Sequence, residues 1–552
     1  MFSALLRREL ISFLRRRRMI AFQIGLAALF GMLVVIRWPT DGNAVLSGLQ
    51  SQQMFRLFAF GLMAMLLLLL PVFPATSIVS EKKRGTLQLL FNTPFGPTRI
   101  FSAKLLAVMS LAVMILAMSL PAAAACFCMG GLSLFGDIGK VYQLLLLVAL
   151  QYAAIGLLVS SYAQSVDSAV RVTYGIVLCV CVLTLIPQYF FQGTQGQLAV
   201  LSDYLRCASP LAALTVVTGT TNMGGQGLMA KTDFLGRYTI AALLSAVSAS
   251  IWTISRLNHR IFDQSRDAGT ISDDLSSQGK VLRRFFFLVD PQKRSAGIPS
   301  FLNPVMVKEF RCRRFGRLHW LLRLVAVCMV ASLGLTYATT AGTFDWGVET
   351  IGAIMVVLQV ALIVLIAPSL SAGLISVERE SGGWTLLLTT PLGVRRIVWG
   401  KLLSALIPLI LLLGATMPGY LVMAYIQPGM ALQVQRVLIC LVLTSVFAMM
   451  ISAAVGSFFV RTAASTAGAY GVMLVLCAAP MMVWLGRNAP FGHDTVEAAL
   501  STSSIGAALS VIQFPGFENY ELIPMNWWIL GITSAVALLL LLAQVYRISK
   551  PQ

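Results

Sequence analysis

Twelve stretches of mostly apolar residues, each near the length of a membrane-crossing helix, divide this chain into two sets of six. A bilayer core about 30 Å thick needs about 20 helical residues to cross. It offers backbone N–H and C=O groups no partner, so apolar segments of this length must fold as hydrogen-bonded helices. The first set lies at about 20–36, 54–79, 104–129, 141–161, 169–190 and 236–254. The second lies at about 319–339, 349–376, 400–425, 434–460, 463–485 and 526–545. A soluble chain of 552 residues does not need 58% hydrophobic residues with only 11% charged. The predicted fold class is therefore an all-α polytopic membrane protein with twelve transmembrane helices. Because six is even, both halves cross in the same sense, giving parallel six-helix repeats about an axis normal to the membrane.

The net charge of +20 is placed to set topology. Arg7, Arg8 and Arg15 to Arg18 precede the first span, and Lys82, Lys83, Arg84, Arg99 and Lys104 follow the second. Arg256, Arg260, Arg266, Lys280, Arg283, Arg284, Lys293 and Arg294 lie between the halves. All fall on one side if both termini are cytoplasmic, as the positive-inside rule requires. A nucleic-acid face is not expected. Nine cysteines form neither a disulfide framework nor a paired metal motif. His259, His319 and His493 stand far apart. No catalytic, cofactor-binding or metal site is predicted within the chain.

Each half opens on an amphipathic basic helix that should lie flat at the headgroups. In the second, Asn303 is placed to cap it and Pro304 to occupy its first turn. Arg8-Glu9-Leu10 corresponds to Lys308-Glu309-Phe310. The predicted organisation is a first six-span half at 1–255, a cytoplasmic linker at 256–302 and a second six-span half at 303–552. Long external segments, about 191–235 and 486–525, separate the last two spans of each half. Both carry apolar stretches too short to cross, Leu211 to Val217 and Ile505 to Ile512, which fit re-entrant or interfacial helices.

One polar stretch occurs twice. Residues 81–106 align without a gap to 378–403, and 12 of the 26 positions are identical. The matches include Glu81/Glu378, Gly85/Gly382, Thr93/Thr390, Pro94/Pro391 and Lys104/Lys401. A need for greasy residues cannot produce these matches. The glycine should end one helix, a short apolar helix should follow, and the Thr-Pro pair should start the next. Arg99 and Lys104, or Arg396 and Lys401, are expected to bring the chain back to the headgroups. The loop lies between spans 2 and 3 of each half, and a short helix clamped there suits docking in a partner's groove. Charge differs between the copies, since Lys83 is Glu380 and Arg84 is Ser381.

At these residues the chain resembles the membrane subunits of type 2 ABC exporters. That family's hallmark is a glutamate-led, basic-glycine loop with a Thr-Pro or Ser-Pro and a Gly-Lys-like return into span 3. Here the motif reads Glu81-Lys82-Lys83-Arg84-Gly85-Thr86-Leu87 with Thr93-Pro94 and Ala103-Lys104. The second copy reads Glu378-Arg379-Glu380-Ser381-Gly382-Gly383-Trp384 with Thr390-Pro391 and Gly400-Lys401. The resemblance implies two permease halves fused in one chain of the cytoplasmic (inner) membrane. Their span 2–3 loops would be coupling helices seated on two copies of a separate cytosolic ATPase. ATP and Mg would be bound by that partner, and accessory subunits are a further partner class. The unequal charge of the loops puts equal coupling through the two halves in doubt.

No phosphate-cradling loop is encoded here. Gly139-Lys140, Gly279-Lys280 and Gly400-Lys401 lack both the earlier glycine and the following Ser or Thr. Energy must then come from a partner or from an ion gradient. A twelve-span secondary transporter is the alternative, and it would need ionisable groups within the bilayer. The predicted spans hold almost none away from their ends. Gln23, Gln151, Gln359 and Gln544 are polar positions within spans, where interhelical hydrogen bonds are the ordinary role. Pro71, Pro74 and Pro368 are expected to kink spans 2 and 8.

Overall fold

The computed structural model describes residues 7–8, 49–93, 95–128, 130–185, 187, 197–219, 234–257, 303–312, 326, 328–330, 348–426, 428–485, 492–514 and 516–549. The chain divides into two compact units, Met1–Asp267 with Leu485–Gly492, and Ala268–Trp484 with His493–Gln552. In the first unit α1 (Leu49–Leu69), α2 (Val72–Arg84), the short α3 (Thr86–Phe91) and α4 (Pro97–Cys128) follow one another. They are succeeded by α5 (Gly139–Tyr162), α6 (Val166–Leu178), α7 (Gln197–Arg206), α8 (Pro210–Val217) and α9 (Phe234–Arg256).

The second unit begins with α10 (Pro304–Cys312), α11 (Val348–Ser371), α12 (Gly373–Ser381), the short α13 (Gly383–Leu388) and α14 (Val394–Ile426). It ends with α15 (Ala431–Ser457), α16 (Thr462–Leu485), α17 (His493–Leu500), α18 (Ser504–Val511) and α19 (Met525–Ser549). All these elements are helical, as a chain short of backbone partners in lipid requires.

Among the described residues, nine helices are long and apolar enough to cross a membrane. They are Met54–Arg84, Pro97–Cys128, Leu134–Tyr162, Phe234–Arg256, Met355–Ser381, Val394–Tyr425, Pro428–Ser457, Thr462–Trp484 and Met525–Ser549. The expected twelve are therefore not all seen. The span at 20–36 lies outside the described residues, as does 319–339 apart from residues 326 and 328–330. The stretch expected at 169–190 gives a shorter apolar helix, Ser168–Cys181. The third span of each half starts earlier than hydropathy alone suggested, at Pro97 and Val394, because the polar first turns continue directly into the apolar helix.

Each unit has its own core. Leu62, Leu66, Leu111, Ile115, Leu144 and Val148 lie at the centre of the first, and Val356, Val360, Ile363, Leu409 and Leu441 at the centre of the second. Spans 2 and 8 each carry a proline beside a break between two helices. Pro71 separates α1 from α2, and Pro368 lies in the last turn of α11. Proline has no N–H, so the helical ladder opens and leaves carbonyls of the preceding turn in need of donors. The Tyr174 hydroxyl donates to Leu68 O in the first unit. The Tyr470 hydroxyl donates to Leu365 O, 2.7 Å away, in the second. Each acceptor stands three residues before its proline.

A glycine of the following hairpin lets a second helix close on the break. A Cβ at Gly156 would fall 2.6 Å from Pro74 Cγ, and one at Gly456 only 2.1 Å from Ala372 O. Close backbone approach through small residues is how spanning helices associate without a hydrophobic drive. Gln151 accepts from the Tyr238 hydroxyl at 3.1 Å. Gln359 donates to Thr416 Oγ1 at 2.6 Å and accepts from Tyr420 at 2.9 Å. Both glutamines thus serve contacts between helices.

Candidate functional site

The two copies of the repeated stretch have one backbone path. Gly85 and Gly382 end α2 and α12 with the same φ of 73°, a left-handed conformation that costs an L side chain strain. Each N–H returns to the carbonyl three residues back, Gly85 to Lys82 at 3.2 Å and Gly382 to Arg379 at 3.4 Å. No atom lies within 4 Å of a Cβ added at either position, so conformation, not space, calls for glycine. A six-residue helix follows in both. α3 turns Leu87 and Leu90 inward and α13 turns Trp384 inward, while Leu89 (66% exposed) and Leu386 (71% exposed) face out.

The threonines close these short helices. Thr93 Oγ1 donates to Leu90 O at 2.5 Å and Thr390 Oγ1 to Leu387 O at 2.6 Å. Each carbonyl also accepts from the threonine's own N–H, at 3.2 Å and 3.3 Å. Pro391 is exposed, and Pro94 lies outside the described residues.

The repeated glutamate and lysine lie under the loop and face each other. In the second unit Lys401, on the third turn of α14, is 1% exposed at its side chain. Its Nζ lies 2.6 Å from Glu309 Oε1 and 3.2 Å from Glu378 Oε1. Lys308 Nζ lies 2.8 Å from the same Glu378 oxygen. Two lysines and two glutamates thus join three elements: the opening helix α10, the last turns of α12 and the start of α14. Lys401 is buried between the two carboxylates, and Lys308, exposed at the rim, supplies the second positive charge; an isolated buried ion would be strongly penalised. Asn303 adds a fourth tie. Its Oδ1 accepts from Val305 N at 3.0 Å, capping α10, and its Nδ2 donates to Arg396 O at 2.8 Å. Gly400 leaves room for it, since a Cβ there would meet Asn303 Oδ1 at 2.6 Å.

The first unit repeats this arrangement. Lys104, 3% exposed at its side chain, has Nζ 2.9 Å from Glu81 Oε2. It also donates to Ser77 Oγ at 3.1 Å. Arg8 Nη2 lies 3.6 Å from Glu81 Oε1, so the cation of the opening segment again meets the loop glutamate. Glu9 lies outside the described residues. Both lysines are buried, with each ammonium within 3.2 Å of its loop glutamate.

The flanking charges divide the two loops. Arg84 is exposed, as are Lys83 and Arg99. In the second unit Arg379 Nη1 donates to Ser457 O at 3.2 Å and Phe459 O at 3.5 Å, at the C-terminus of α15. Glu380 Oε2 accepts from Thr462 N at 2.9 Å and Thr462 Oγ1 at 2.7 Å, at the N-terminus of α16. A cation on terminal carbonyls and an anion on terminal N–H groups both suit the helix dipoles. The charge difference between the copies therefore has an internal use in the second unit, where it staples the loop to the α15–α16 junction.

Sequence reasoning missed Ser77, Tyr174, Tyr470 and the Arg379–Glu380 staple. A repeated Tyr-Gly, Tyr174-Gly175 and Tyr470-Gly471, was the available signal for the tyrosines. Among the described residues, no group of three or more His, Cys, Asp or Glu side chains could hold a metal ion. What the arrangement can do is mechanical, since a push on α3 or α13 reaches the second and third spans and the opening helix together.

Two helical units, each with a proline in its second span, a left-handed glycine, a short exposed helix and a buried lysine–glutamate pair, define a polytopic membrane protein with two related halves. Residues 11–192 match a family model described as ABC-2 family transporter protein, and residues 303–546 match a second model of the same description. The chain belongs to the ABC-2 transporter family, with one family domain in each half. Such domains are the membrane subunits of ABC transporters and are not themselves catalytic. Comparison with curated proteins gives no match.

Proposed function

We propose that this chain supplies both permease halves of an ATP-driven exporter and that α3 and α13 are its coupling helices. Two copies of a cytosolic ABC ATPase, holding ATP and Mg, dock on them and hydrolyse ATP outside this chain. The full membrane domain has twelve spans in two parallel six-span repeats, at 1–255 and 303–552, with 256–302 as cytoplasmic linker. Both termini are cytoplasmic and the membrane is the inner one.

The observation that carries this reading is the shared loop geometry: the same glycine φ, a six-residue helix and an outward leucine in each half. An exposed leucine on a rigid, capped turn suits an apolar groove on a partner. The buried carboxylates of the cluster sit at span ends, already held by lysines. That favours a mechanical linkage over the proton or sodium cycle of a secondary transporter.

The test is co-expression of the chain with an ABC ATPase encoded beside it, followed by affinity purification and ATP turnover. Leu89→Glu with Leu386→Glu is expected to abolish capture while the chain still inserts and folds. Retained capture and turnover in that folded double variant would sink the docking assignment.

A further inference from the structure

The external helix pairs α7–α8 and α17–α18 share a scaffold and carry opposite outer faces. In each pair a serine caps the second helix. Ser209 Oγ accepts from Ala212 N at 3.5 Å and Ser503 Oγ from Gly506 N at 3.1 Å. Both second helices are bedded in their unit through Ala212, Ala213 and Leu214 or Ala507, Ala508 and Leu509. The first helices differ. α17 is an ordinary surface helix: Val496 and Leu500 are buried, and His493, Asp494, Thr495 and Ala498 are exposed. His493 stacks on Tyr520 at 4.9 Å.

α7 is built the other way round. Val200, Leu201, Tyr204 and Leu205 share one face at helical spacing and are exposed, Leu201 at 56% and Tyr204 at 53%. Its polar side is turned inward. Ser202 is buried, and Asp203 lies 3.7 Å from Arg237 of α9. Arg237 also stands over the Tyr204 ring at 5.3 Å, and Arg206 over Phe234 at 5.5 Å. α7 and α8 meet at 87°, the geometry of a broken span or a re-entrant loop.

Neighbouring residues identify what covers this face. Arg237 heads a stripe of α9 that continues through Ile240, Leu244, Val247 and Ile251, all exposed. On a membrane-spanning helix that stripe faces acyl chains, and the apolar face of α7 begins at its head. Arg56 of α1 donates to Thr218 O at 2.7 Å and Gly219 O at 3.1 Å, holding the end of α8. At about 1.5 Å per helical residue, Arg56 and Arg84 lie some 40 Å apart along the α1–α2 span. The pair therefore sits at the opposite membrane surface from α3, at the level where the Tyr204 ring fits an aromatic belt.

We propose that α7 is immersed in the bilayer at that surface, with its apolar face on acyl chains, whereas α17 stands in water. Only the first half would then meet lipid at its external mouth.

The test uses the full chain in phosphatidylethanolamine/phosphatidylglycerol vesicles, with native cysteines replaced and single nitroxide labels at Leu201→Cys, Leu205→Cys, Asp494→Cys and Ala498→Cys. Labels at 201 and 205 should relax with oxygen and be shielded from a water-soluble nickel chelate; those at 494 and 498 should do the reverse. Wild-type chain in vesicles containing diazirine-tailed phospholipid gives a second readout that needs no substitution. Crosslinks are expected within 200–205 and lost within 493–500. Nickel access at 201 and 205, or shielding from both reagents and no lipid crosslink there, would overturn the proposal, the latter by assigning the face to protein.

Discussion

The loop of the first half and the loop of the second have the same bones and different attachments. Both have a φ 73° glycine, a six-residue helix with an outward leucine, and a lysine buried against the glutamate that opens the motif. In the second, Arg379 and Glu380 also bind the α15–α16 junction, whereas the corresponding positions of the first are Lys82 and Lys83. The lesson is that duplication preserved the device and let its fastening diverge.

The largest expected effect comes from removing the buried lysines. Lys401→Met leaves Glu309 and Glu378 facing each other with only Lys308 to oppose them, and should cost about 3–5 kcal/mol, as for other broken buried pairs. Denaturant unfolding of the purified chain in micelles measures it. Lys104→Met should fall in the same range; a cost near zero there would break the equivalence of the two clusters.

Next come the tyrosines beside the span prolines. Tyr174→Phe and Tyr470→Phe each leave a buried carbonyl without its donor, at about 1–3 kcal/mol. Equal losses in the two variants would confirm that the two contacts are one device; unequal losses would rank them.

Gly85→Ala and Gly382→Ala should each cost about 1 kcal/mol, from backbone strain alone because neither Cβ meets a neighbour. The same unfolding assay tests this, and a cost several times larger would mean that space is also short there. The smallest effect is expected from Glu380→Ala, about 0.5–1 kcal/mol for an exposed tie of this kind. The same unfolding assay measures it, and no loss at all would show that the tie to Thr462 does not hold the second loop.

Much of the site could be read in the sequence because it occurs twice. Glu81, Gly85, Thr93 and Lys104 recur in register, and repetition separates them from residues that merely suit a membrane. The role of the glycines followed from backbone chemistry, which acts within a few residues. The role of the threonines did not: expected with their prolines to start the next helix, they close the short one, and the next helix begins only at Pro97 or Val394. Nor did the destination of the charges. Glu378 and Lys401 are 23 residues apart and Glu309 and Lys401 are 92 apart, so their meeting is set by how helices assemble, not by local pattern. A lysine next to a span looks like a headgroup anchor until a carboxylate from another helix is placed beside it. Tyr174 and Tyr470 were hidden for the same reason, since an aromatic within a span carries no mark of the carbonyl it serves.

The central claim is that both loops seat on the ATPase, and contact at the outer turn of each short helix tests it most directly. A photoreactive phenylalanine analogue placed at Gln88, and separately at Thr385, reports on aligned and exposed positions of α3 and α13. With the ATPase co-expressed, both positions should crosslink to it, while a probe at exposed Ala498 of α17 should not. Crosslinking from neither loop position, in a chain that inserts and co-expresses normally, would contradict the account.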